Sequence, residues 1–169
     1  SSELHAGEAG LHVPRQLLPG PIAGFDAAWS LDLASWPGLE AQIAALADDI
    51  AYVNHDIDDG LRAGVLDIAA LSDAPLGGPH ARKVVARYGD LELSRFIGEL
   101  IRTLMSDLLD DVLDTSRANL REGAPQSAAA IRAAGQAYIA FSPPMMAQVK
   151  ALKKFLFGHM YQHPRVIAS

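Results

Sequence analysis

The chain has 169 residues, half of them apolar, which is enough for one domain with a substantial core. Its formal net charge of −6 argues against a general nucleic-acid scaffold, because displacing counterions from phosphate needs a basic surface. The absence of cysteine excludes disulfides, thiol catalysis and Cys-ligated metals, and no apolar run approaches the about 18 residues of a membrane span. A cytoplasmic setting, compatible with the lack of cysteine, is expected, and no basic segment followed by an apolar core opens the chain as a secretory signal would.

Taken in chain order, residues 1–34 hold much of the Gly and Pro, in LHVPRQLLPGPIAGF, and read as an irregular lead-in to a helical domain over residues 35–169. Ser35 suits an N-cap and Pro37 a first turn, so a helix is expected to begin there and to stop at Gly64, with Gly60 loosening its last turns. A short segment, Val65 to Leu71, runs into SDAPLGGPH, whose prolines and glycines predict a loop. From Ala81 to Arg121 the apolar period is about 3.6, and Gly89-Asp90 divides the stretch into two helices. The longer, Leu91 to Asn119, is the expected principal core helix, with Asp107, Asp110, Asp111 and Asp114 as its wet face. After EGAPQS a helix is predicted from Ser127 to about Ala140. Pro143-Pro144 then disfavours helix at Ser142, and a last helix runs through MAQVKALKKFLFGHMYQHPRVIA. No alternating β-branched run competes with these helices, and no repeat suggests a solenoid, so the fold class is all-α, a helical bundle.

The run LEAQIAALADDIAYVNHDIDDGLRAG, Leu39 to Gly64, carries the chemistry. At about 100° per residue, Tyr52, His55, Asp56, Asp59 and Arg62 fall within a quarter turn of Asp48, and Ile43, Leu46, Ile50, Val53, Ile57 and Leu61 fall opposite. An apolar face against a charged one is also what an ordinary surface helix shows. Here, however, Asp48, Tyr52 and Asp56 stack at i, i+4 and i+8 with only Arg62 to offset them, and a divalent cation held by oxygen ligands would relieve that repulsion. Tyr52 reads equally as a phenol packed at a helix interface or as a substrate contact. Asp49 points elsewhere, toward solvent or a supporting hydrogen bond, and Asp59 and Arg62 read as a pair. The basic clusters Arg82-Lys83, Arg95 to Arg102 and Lys150 to Lys154 read mainly as solvated helix faces. His159 and His163 in HMYQHP have the spacing of a metal pair, but no carboxylate partner is near and Pro164 disrupts the helix.

EAQIAALADDIAYVNHDIDDGLRAG, together with FLFGHMYQHPRV near the C-terminus, resembles the deoxyguanosinetriphosphate triphosphohydrolase-like proteins of the HD-domain superfamily, over residues from about Asp32 onward. The resemblance implies the C-terminal part of an HD-domain-type fold. It also implies hydrolysis of a deoxynucleoside triphosphate to deoxynucleoside and triphosphate, a divalent metal cofactor such as Mg or Mn, and assembly as a homo-oligomer. By the pattern D-x-x-x-Y-x-x-x-D, it makes Asp48 the last metal ligand and Tyr52 and Asp56 substrate contacts. The family's other ligands, a His and a His-Asp pair, have no counterpart in Ser1 to Leu31, and His55-Asp56 belongs to the downstream NHDIDDGLRAG run. The chain therefore reads as part of a longer protein. A noncatalytic helical interaction or oligomerisation module is the alternative, and no P-loop, dinucleotide fingerprint or nucleophilic triad suggests another enzyme.

Overall fold

A computed structural model describes residues 20–29 and 35–161, the side chains at 23, 26 and 161 excepted. The elements are α1 (Gly20–Ala28), α2 (Leu39–Arg62), α3 (Ile68–Asp73), α4 (Gly77–Tyr88), α5 (Leu93–Gly123), α6 (Ala128–Ala133) and α7 (Pro143–Leu156), followed by a π-helical turn, Phe157–Tyr161. No strand occurs among the described residues, and the all-α class holds. Within the stretch expected to be irregular, Gly20–Ala28 is helical.

The chain divides into two compact units, Ser1–Ala47 with Asp114–Ala140, and Asp48–Leu113 with Phe141–Ser169. In the first, Gln42 is fully buried and organises the backbone around it. Its Oε1 accepts from the Tyr138 and Ile139 amides at 2.9 and 3.0 Å, and its Nε2 donates to the Pro37 carbonyl at 2.7 Å. Ser116, also buried, accepts from the Ala140 amide. These side chains explain why α6 ends early. Gly135 has φ 70, which halts the helix, and the amides that a continued helix to Ala140 would have paired internally are taken by Gln42 and Ser116.

The second unit holds most of the core. Ile50, Val53, Ile57 and Leu61 of α2 are buried as their period predicts, while Ile43, expected on the same side, is 52% exposed in the other unit. Phe96, Ile97, Leu100, Leu104 and Leu108 bury the matching face of α5, and Val149, Leu152 and Leu156 that of α7. GGPH, expected as a loop, opens α4 instead. Gly77 and Gly78 are buried, and a Cβ at Gly78 would collide with the Ser72 carbonyl, so only glycine permits this close turn from α3 into α4. Pro79 sits in the first turn of α4, where a missing N–H costs nothing.

Two members of the aspartate cluster on α5 are structural rather than merely wet. Asp107 lies 2.8 Å from Nε2 of His80, whose Nδ1 is 2.8 Å from the Leu76 carbonyl. Asp111 accepts from the amide and the hydroxyl of Ser142, the N-cap of α7. Ser142 marks the helix boundary as expected, with Pro143 and Pro144 in the first turn.

Candidate functional site

α2 owes its two faces to its sequence period, and its polar line begins at the first residues of the second unit. Asp48 is exposed, Tyr52 is 43% exposed one turn on, and Asp56 is half-buried a turn further. The three expected site residues therefore lie along one helix, as their spacing requires.

Asp56 has the least ordinary environment of the three. Its Oδ2 is buried and has no hydrogen-bond partner. Burial pushes its carboxyl above the usual carboxylate range; hydrogen bonding from the Tyr52 phenol pulls it down, the Asp59 charge raises it and the His55 charge lowers it. Such a carboxylate is an acceptor short of a donor. The neighbouring His55 faces another way, toward a groove of about 310 Å³ that it lines with Ala51, Asn54, Ile97 and Met105.

Asp49 neither faces open solvent nor stands as a second acid beside Asp48. It accepts a 2.7 Å hydrogen bond from Nζ of Lys153 on α7, and both side chains are only about one-fifth exposed. The same ammonium stands 5.7 Å from the centre of the Tyr52 ring, within cation–π reach. Lys153 thus joins the line that Asp48, Tyr52 and Asp56 form, although its cluster, Lys150 to Lys154, has the sequence character of a solvated helix face. Its signal was its place in KALKKF next to the buried Leu152, at the edge of the α7 apolar face. Arg62 pairs with Asp58, one turn back at 3.0 Å, rather than with Asp59, because the i,i+4 spacing suits the guanidinium better.

For a metal, the donor chemistry fits and the donor number does not. Asp48 offers hard carboxylate oxygens suited to Mg or Mn, but no group of three His, Cys, Asp or Glu side chains among the described residues could hold an ion. His159 stacks on Phe155 at 4.0 Å, with Nδ1 3.0 Å from the Phe155 carbonyl, and His163 lies outside the described residues.

Comparison with known proteins bears on both ends of this description. Residues 139–169 match the family described as phosphohydrolase-associated domain, so Lys153 falls within that match. Over 152 residues, 90% of the chain, it is 48% identical to a protein of Parvibaculum lavamentivorans named deoxyguanosinetriphosphate triphosphohydrolase-like protein. Proteins of the same name from Agrobacterium fabrum and Ralstonia pickettii are 42% and 46% identical over 89% and 75% of the chain. The chain spans 38%, 37% and 32% of the lengths of these three relatives. The resemblance seen in the sequence is borne out.

Proposed function

We propose that this chain, similar over nine-tenths of its length to deoxyguanosinetriphosphate triphosphohydrolase-like proteins, is part of a metal-dependent enzyme that hydrolyses a deoxynucleoside triphosphate to deoxynucleoside and triphosphate. The observation that carries the reading is the line Asp48, Tyr52 and Asp56 on α2, whose last member holds an acceptor oxygen with no donor.

In this reading Asp48 would hold a divalent cation through one carboxylate oxygen, with residues elsewhere in the full-length protein completing its ligands. The chemistry such a cation would supply is a more acidic water and charge to offset the phosphate oxygens. On binding, the Tyr52 phenol turns its one proton from Asp56 to a phosphate oxygen while its ring covers the sugar. Asp56 accepts from a sugar hydroxyl, which satisfies its unpartnered oxygen and makes nucleoside binding selective.

The test is triphosphate release from dGTP with Mn²⁺ by the full-length protein. Asp48→Asn, an isosteric change at an exposed position, should lower the rate at least about 100-fold, since even residues that merely support a metal ligand cost up to that much. An unchanged rate would remove Asp48 from the metal site.

A second reading, an interaction or oligomerisation module, is favoured by α1 and the residue that follows it, where Phe25 and Trp29 are 59% and 73% exposed. Sedimentation of the full-length protein carrying Phe25→Ser and Trp29→Ser separates the two: loss of assembly with triphosphate release retained would assign α1 to the interface alone.

A further inference from the structure

We infer that Lys153 is a positioning residue for the substrate line of α2, acting through Asp49 and Tyr52 on the binding of the triphosphate. The inference rests on the triphosphohydrolase reading, but the contacts that carry it are independent of it.

Lys153 and Asp49 are 104 residues apart in sequence, and their 2.7 Å hydrogen bond links α7 to α2 within one compact unit. The position of the ammonium is determined by packing rather than by its own flexible stem. Val149, Leu152 and Leu156 are buried and anchor α7, and the side chains of Lys153 and Asp49 are 20% and 22% exposed. A shielded, charge-assisted pair of this kind holds its geometry far better than a surface ion pair.

Two consequences follow for the neighbouring site. Asp49 adjoins Asp48 in sequence, and uncompensated it would add a negative charge beside a polyanionic substrate. Lys153 offsets that charge without occupying Asp48. The ammonium also lies 5.7 Å from the centre of the Tyr52 ring, and this contact favours one placement of the ring and so one direction for the phenol oxygen. A ring held this way keeps its phenol oxygen at the substrate line without first being ordered by the substrate, which improves binding more than turnover.

The experiment uses the full-length protein with dGTP and Mn²⁺, in the parent, Lys153→Met, Lys153→Arg and the double variant Asp49→Asn with Lys153→Met. Methionine keeps the apolar stem and removes the charge. Lys153→Met should raise KM about tenfold with kcat within about threefold of the parent, and Lys153→Arg should restore KM to within about threefold. The double variant should bind better than Lys153→Met alone, because it removes the uncompensated carboxylate. In parallel, 3-fluorotyrosine at position 52 should show a fluorine resonance that moves in Lys153→Met and returns in Lys153→Arg.

An active parent whose KM is unchanged in Lys153→Met, or a fluorine resonance that does not move, would overturn the inference and leave the pair as a structural tie. A parent that releases no triphosphate would instead overturn the functional reading, and the substrate role of Lys153 with it. The fluorine resonance would still decide whether Lys153 holds Tyr52.

Discussion

Asp56 shows what a single half-buried carboxylate can cost the fold. Its carboxyl takes up a proton at higher pH in the folded chain than in the unfolded one, because burial disfavours the charged form. Just above the ordinary carboxylate range the folded state therefore binds more protons, and stability contributed by this group rises as pH falls through the folded value. At neutral pH the ionised form is a net cost. Asp56→Asn should thus raise the melting temperature at pH 7 and weaken the gain in stability seen on mild acidification, both read from thermal melts of this chain between pH 4 and 7. A lower melting temperature at pH 7 would mean that the hydrogen bond from the Tyr52 phenol outweighs the cost of burying the charge. Gln42 lies at the other extreme. It is as buried as any core leucine, and three backbone groups depend on it. Within EAQIAAL it looks like an ordinary polar helix residue, because its partners at Tyr138 and Ile139 are 96 and 97 residues away.

Among the elements, those with a strong period were legible and those defined by a cap or a close approach were less so. α2 and α5 appear close to where their apolar spacing puts them, at Leu39–Arg62 and Leu93–Gly123. α4 was missed in its first turn, because glycine and proline signal a break unless a neighbouring backbone demands them, as the Ser72 carbonyl demands Gly78. α7 was located correctly from Ser142 and the two prolines, though the strength of its cap was not visible. The Ser142 hydroxyl accepts from the Met145 amide and donates to Asp111, which also accepts from the Ser142 amide. Ser142→Ala should destabilise the chain by about 1–2 kcal/mol, the range for a lost N-cap, measured by denaturant unfolding. An effect within error would mean that the two prolines and the buried face of α7 hold the start of the helix unaided.

For the whole molecule, the deciding quantity is the number of ligands in one place. A lone aspartate does not hold Mg or Mn against water, and no three donors gather among the described residues. The 169-residue chain alone is expected to leave Mn²⁺ free in electron paramagnetic resonance titrations, and the proposed function predicts uptake by the full-length protein under the same conditions. Stoichiometric uptake by the chain alone at micromolar Mn²⁺ would show that it completes a site from its own residues. The chain spans little more than a third of the length of its Parvibaculum lavamentivorans and Agrobacterium fabrum relatives.

By itself the sequence determined the all-α class, the two faces of α2, and the line of Asp48, Tyr52 and Asp56, because each depends on residues a few positions apart on one helix. The tertiary structure alone decided which charges are engaged. Lys153 reaches Asp49 and Tyr52, Asp107 meets His80, and Asp111 holds Ser142, the N-cap of α7. Helical period orients a side chain toward or away from the core, but only the packing of distant segments decides which ion or amide it meets there.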